Sequence, residues 1–224
     1  LSNCNGAIDK AQAYVNQTLP GALNTLYANI KARAPQAKVT VVGYPHIFNG
    51  VDCNLLTWFS ASEMTRLNAM ADLVNSTTRA RATAAGFSFA DPTTPFVGHA
   101  VCSSSEWING LSNPIQESYH PNRTGQASGY TPTVSPYLTG STVTATAALL
   151  TTAKGSTKRL ADQQKRYAAS DRAIKPALVL APDLSTPAAK AAAKKAGVDL
   201  SSRASIDAVD RVYSARQAAE FAAR

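Results

Sequence analysis

Between residues 5 and 34 the apolar positions fall at helical spacing. Ala7, Ile8, Ala11 and Val15 form one stripe, and Leu19, Leu23, Leu26 and Ile30 continue it. Pro20 predicts a break or a new first turn, and Pro35 closes the segment. The pattern then changes period. Lys38-Val39-Thr40-Val41-Val42 is a short run rich in β-branched residues, ended by Gly43 and Pro45, which predicts a buried parallel strand. A turn-rich loop follows through Asn49-Gly50-Val51-Asp52-Cys53-Asn54. Ser60 with Glu63 three residues on reads as a capping box, opening a helix that carries Met64, Leu67, Met70 and Val74 to about Ala85, where Gly86 stops it. Phe87-Ser88-Phe89-Ala90-Asp91-Pro92 is the next predicted strand. Helices alternating with short apolar strands predict the α/β class with a parallel sheet. Residues 93–120 make a long connection of the kind that carries function, and a short helix is predicted after Pro121.

From about residue 140 the large apolar residues thin out and Ala, Thr, Lys and Arg dominate. Three helical pieces are predicted: Val143 to Ala169 with an interruption at Gly155, Thr186-Pro187 to Gly197, and a third from about Ser205 through Ile206, Val209 and Tyr213. Pro176, Pro182 and Pro187 punctuate the gaps. This divides the 224 residues into a unit at 1–139 and a helical extension at 140–224, the latter too poor in large side chains for a strong core of its own.

Charge sharpens that boundary. Residues 1–139 hold 8 Lys and Arg against 7 Asp and Glu, whereas residues 140–224 hold 14 against 7. The near-neutral first part suits an uncharged or amphiphilic substrate, and the basic extension suits an anionic surface or simply a solvated helical one. A nucleic-acid role is not expected, because the extension's aromatics are few: Tyr167, Tyr213 and Phe221. No stretch of 18 apolar residues is present. Cys4, Cys53 and Cys102 have neither CxxC nor zinc-ligand spacing, and Asp52, Asp91 and Glu106 lack partners at ligand spacing, so no metal and no cofactor is expected.

Candidate chemistry centres on Gln116-Glu117-Ser118-Tyr119-His120-Pro121-Asn122. A histidine just before a helix-starting proline is fixed on a loop rim, where imidazole can take a proton from a hydroxyl and return it to a leaving group. Its other nitrogen needs an acceptor to hold the tautomer, for which the Glu117 carboxylate and the Ser118 carbonyl are both candidates. His46 follows the first strand, at the end that lines the cleft of α/β proteins. Trp107 is a candidate substrate contact. His99, beside Cys102, reads as a structural loop histidine.

The same segment resembles the final conserved block of the SGNH (GDSL) hydrolases, in particular secreted actinomycete lipases and phospholipases. The resemblance runs in order through Val41-Val42-Gly43-Tyr44-Pro45, Cys53-Asn54-Leu55, Gly86-Phe87-Ser88-Phe89-Ala90-Asp91-Pro92, Gly98-His99-Ala100-Val101-Cys102 and Trp107-Ile108-Asn109-Gly110-Leu111. It covers residues 1–138 and leaves out the extension. It implies a three-layer, flavodoxin-like fold and a carboxylic-ester hydrolase in which His120 activates a serine. It also implies a Cys53–Cys102 disulfide, closing a loop of about 50 residues and contributing on the order of 4 kcal/mol in the chain-entropy model. The family places aspartate three residues before the histidine, and here Glu117 stands there.

The family's Gly-Asp-Ser nucleophile block and the Gly and Asn oxyanion donors have no counterpart in these residues. The expectation is therefore a fold incomplete at its N-terminal side, inactive alone, with its own missing segment as natural partner and with a Cys4 partner upstream of Leu1. The substrate class implied is a lipid or other ester, and the implied location is extracellular. The alternative is a non-catalytic accessory protein on this fold that holds an anionic surface through its extension.

Overall fold

The computed structural model describes residues 4–51, 59–112, 117–173, 184–206, 208–209, 211–212 and 215. Cys53, Asp52, Trp58, Gln116, Pro176, Pro182, Tyr213 and Phe221 lie outside them, as does the side chain of Cys4.

Two helices open the chain, α1 (Cys4–Gln17) and α2 (Leu19–Arg33), separated at Thr18 with Pro20 in the first turn of the second. Ile8 and Val15 are buried, and α1 packs on α3 (Ala61–Ala84), with Arg66 of α3 pairing with Asp9. Along α2 the inward position belongs to Tyr27 rather than to Leu26, which is half exposed; Tyr27 meets the Phe87 ring edge-on at 5.4 Å. The Lys31 ammonium donates to the Ala85 carbonyl at the end of α3.

The capping box that starts α3 is present in both directions: Ser60 N–H donates to Glu63 Oε2 at 2.9 Å, and Glu63 N–H donates to Ser60 Oγ at 3.2 Å. Those bonds allow Glu63 to be buried. The helix ends at Ala84, two residues before Gly86, whose φ of 78° turns the chain toward the sheet.

Strands β1 (Thr40–Val42) and β2 (Ser88–Ala90) pair in parallel, with Thr40 opposite Ser88 and Val42 opposite Ala90. The architecture is thus a helix-rich α/β arrangement around a small parallel sheet. The prediction of a buried strand is corrected for β1: Thr40 and Val41 are half-buried and Val42 is exposed. Among the described residues β1 has β2 as its one neighbour, so its other edge stays open.

After the long connection, a π-helical turn (Gly125–Tyr130) runs directly into α4 (Thr131–Thr139), which packs on both strands. The helix after Pro121 is therefore longer than predicted. Tyr130 anchors it through a 3.1 Å hydrogen bond to the Gly43 carbonyl, and burial pushes its phenol up to about 12 with the nearby Tyr44 adding to the shift.

The extension contains α5 (Ala147–Lys165), α6 (Ala168–Ala173) and α7 (Pro187–Lys195). Thr146 and Thr186 cap α5 and α7. Gly155 does not interrupt α5: its position is open on all sides, and the entropic cost of glycine in a helix, about 1 kcal/mol, is too small to break 19 residues. Helical residues at 203–206 match the start of the third predicted piece. No helix among the described residues is long and apolar enough to cross a membrane.

Candidate active site

Among its described residues the polypeptide from Pro92 to Asn122 has almost no regular structure, yet it holds the largest fully buried side chains that the structure describes. Ile108, Val101 and Pro92 are the largest fully buried residues, and Phe96, Val101 and Ile108 form a core against which Ile47, Trp107, Tyr119 and Tyr130 pack. In place of a ladder, isolated pairings hold the backbone. Val101 N–H donates to the Ile47 carbonyl at 2.9 Å, and Phe48 bridges Val101 in parallel, which ties the loop after β1 to the connection after β2.

His120 sits on the second of these pairings. Ile108 bridges Pro121 in antiparallel fashion. Asn109 N–H donates to the His120 carbonyl at 2.9 Å, Tyr119 N–H to the Asn109 carbonyl at 3.1 Å, and Asn122 N–H to the Trp107 carbonyl at 2.8 Å. Two asparagine side chains reinforce the clamp: Asn109 Nδ2 donates to the Glu117 carbonyl and Asn122 Nδ2 to the Glu106 carbonyl, each at 2.9 Å. Asn122 Oδ1 accepts from Gly125 N–H, so the same residue caps the helical segment that follows.

Tyr119, between Ser118 and His120, has φ of 60°, the left-handed region that a bulky residue adopts only under constraint. Its ring is held by Phe48 at 5.8 Å and Phe59 at 6.1 Å, so aromatic packing from two other segments sustains the strained backbone. The result is a fixed main chain with an exposed residue at its rim.

The ring of His120 has no hydrogen-bond partner among the described residues. Glu117 is exposed, and its carbonyl already accepts from Asn109 Nδ2 and from His120 N–H. Ser118 Oγ accepts from Ser112 N–H at 2.9 Å, and no hydrogen bond to the Ser118 carbonyl is seen among the described residues.

The remaining candidates fall around this clamp. Trp107 stacks face to face on His99 at 3.7 Å and meets Phe96 edge-on at 5.4 Å. Its indole N–H is buried with no hydrogen-bond partner among the described residues, while its main chain bonds His99 on one side and Asn122 on the other. His99 Nδ1 lies 2.7 Å from the Ser105 carbonyl. His46 Nε2 lies 2.8 Å from Asp72 Oδ1 on α3, with both groups open to solvent. Cys102 is disulfide-bonded; its N–H donates to the buried Glu106 carboxylate at 2.6 Å. No group of His, Cys, Asp and Glu among the described residues could hold a metal ion.

Four asparagines, Asn68, Asn75, Asn109 and Asn122, do much of the positioning, and none was singled out from the sequence as a site residue. Asn75 of α3 accepts from Tyr44 N–H at 2.8 Å and donates to the Tyr44 carbonyl at 2.7 Å; Asn68, two turns earlier, does the same for residues 47 and 48. A signal was available: asparagine is a poor helix former, and two of them seven residues apart inside one predicted helix share a face.

No protein-family model matches the chain. Two curated proteins do, over 132 and 133 residues: a lipase of Streptomyces rimosus and lipase 1 of Streptomyces coelicolor, each 42% identical over 58% of this chain and 48% of theirs. The chain thus spans about half the length of these relatives. Among solved structures it resembles the extracellular lipase of Streptomyces rimosus (TM-score 0.55, 39% identity, 63% of this chain and 58% of that one). It also resembles phospholipase A1 of Streptomyces albidoflavus (TM-score 0.57, 36% identity, 61% and 58%). In its matched part the chain is similar to Streptomyces lipases and to a Streptomyces phospholipase. At these identities the likeness extends beyond fold to sequence.

Proposed function

We propose that this chain carries the general-base histidine of an SGNH-type carboxylic-ester hydrolase acting on a lipid or other ester. The observation that carries the reading is the His120 rim: an exposed imidazole on a main chain pinned by Asn109, Asn122 and the strained Tyr119. Such rigidity is what a proton-transferring group needs and a solvated surface histidine does not. The lipase and phospholipase relatives support ester chemistry as the reaction.

In this reading His120 takes the proton from a serine Oγ as the oxygen attacks the ester carbonyl. It gives that proton to the departing alcohol, and an acyl-serine remains. Water then attacks the acyl group, His120 accepts its proton and returns it to serine, and the acid leaves. The serine and the oxyanion donors are supplied by polypeptide outside these 224 residues. That polypeptide is also the partner that completes the three-layer, flavodoxin-like fold and covers the open edge of β1. In the completed site the acceptor for the second imidazole nitrogen is the Ser118 carbonyl, which accepts no hydrogen bond among the described residues and so is open to the ring, whereas Glu117 is exposed. Trp107 serves the site by holding Asn122 and His99, and His46 is the residue offered to substrate. Cys53 is the partner of Cys102, in keeping with an oxidising, extracellular setting. Residues 1–139 form the hydrolase unit and 140–224 an appended one.

The test joins the chain to the amino-terminal half of the Streptomyces rimosus lipase and measures p-nitrophenyl ester turnover. His120→Ala should lower kcat by about 10³-fold or more with little change in melting temperature, since the residue is exposed and its ring makes no hydrogen bond among the described residues. Turnover within about tenfold of the parent would overturn the assignment.

A further inference from the structure

Helix α5 is the longest stretch of exposed structure in the molecule. None of its residues is buried, and among the described helices and strands it touches α6 alone. Its side chains are nevertheless sorted. At about 100° per residue, Leu149, Ala153, Leu160 and Tyr167 (just past its last turn) fall within roughly 40° of arc. Leu149, Leu160 and Tyr167 are 41%, 50% and 60% exposed, so this apolar stripe faces solvent. The cations lie elsewhere: Lys154, Lys158 and Lys165 share the far side of the helix, and Arg159 and Arg166 flank the stripe from its other border. Asp162, the one acid from residue 147 to 167, sits between Lys158 and Lys165 and bonds both, at 2.8 and 2.9 Å, which holds its carboxyl below the usual range. Five cations against one acid leave the helix strongly positive.

We infer that α5 is an anchor for anionic phospholipid bilayers, lying in the plane of the interface with Leu149, Leu160 and Tyr167 among the acyl chains. An apolar stripe flanked by arginines and backed by lysines gains from both terms of such binding: burial of the stripe, and attraction of the cations to lipid phosphates. A protein partner would need a complementary acidic groove and would leave the three far-side lysines unused. A bilayer uses them, because long lysine stems reach back to the headgroup layer. The capped start at Thr146 makes the helix available before it meets the membrane. The inference goes beyond the ester-hydrolase reading and does not depend on it.

Flotation of the full 224-residue chain with vesicles tests it, since aggregated protein sinks and bound protein floats. The chain should float with vesicles of phosphatidylcholine containing a quarter phosphatidylglycerol and remain below with phosphatidylcholine alone. High salt should release it. Leu160→Asp and the triple change Lys154→Glu, Lys158→Glu, Lys165→Glu should each weaken binding about tenfold or more. The helical signal in circular dichroism should persist for both, because neither touches the core. Equal binding to neutral vesicles, no flotation at low salt, or wild-type flotation of either variant would overturn the proposal. So would a dimer that Leu160→Asp dissolves without changing flotation, which would assign the stripe to a second copy of the chain. None of these results bears on His120, whose test reads turnover of a soluble ester.

Discussion

Two stretches of this chain, residues 96–122 and helix α5, invert the usual link between regular structure and rigidity. Among its described residues the first has no helix and no strand of any length, yet contains Ile108 at 0% exposure, Val101 at 1% and Phe96 at 2%. The second is an uninterrupted helix of 19 residues with nothing buried. In the first, backbone groups are satisfied one at a time by asparagine side chains and isolated bridges, and every such bond depends on side chains packed beneath it. In the second, all bonds are local, and nothing outside the helix is needed to make them. A loop can therefore be the stiff part of a protein when it is built on its own core, and a helix the compliant part when it has none.

The comparison can be tested from its strongest consequence downward. Ile108→Ala removes a fully buried side chain under the His120 clamp and should cost about 2–5 kcal/mol in urea unfolding; the same truncation at Leu160 of α5 should cost less than about 0.5 kcal/mol. Equal losses would mean that α5 has a packing partner after all. Gly125→Ala comes next. A Cβ there would lie 2.2 Å from the Trp107 carbonyl, the acceptor for Asn122, so the clamp must shift, at about 1–3 kcal/mol.

A smaller effect is expected at Asp91, where β2 enters the connection. Burial raises this carboxyl, but the hydrogen bonds from Thr93 and the Arg79 guanidinium outweigh it and hold the group below the usual carboxylate range. Its stabilising contribution is then present above the ordinary carboxylate pKa and fades as pH falls through the lowered value. Asp91→Asn should be less stable than the parent by no more than about 1 kcal/mol near neutrality, given how open both groups are. The difference should vanish in acid, and a gap that widens on acidification would reverse the sign argued here. Smallest is Gly155→Ala, which should raise the helicity of α5 by about 0.5–1 kcal/mol of local stability without moving the main unfolding transition.

The elements governed by local chemistry were legible in the sequence. Ser60 and Glu63, Thr186 and Pro187, and the stops at Gly86 and Gly197 act over three or four residues, and they stand where the pattern put them. What depends on distant residues was not legible. Tyr27 rather than Leu26 faces inward because Phe87, sixty residues on, lies there. β1 reads as a buried strand because its residues suit one, while its exposure is decided by how many strands stand beside it. His120, Glu117, Ser118, Trp107 and His46 could be named as candidates, since their types carry chemistry. The left-handed turn at Tyr119 could not, because a tyrosine there has no local preference for it and two aromatic rings from elsewhere impose it.

The small cluster beneath α7 ties the extension to the site segment. Ala189 is fully buried and packs with Leu184, Ala192, Leu200 and Ile206 around Leu111, nine residues before His120. The two regions share one filled volume there. A larger residue at 189 fits only where position 111 shrinks, and a smaller one at 111 leaves a hollow that the extension must refill. Packing at 111 and packing at 189 are therefore coupled, and a change of side-chain size at one is felt at the other.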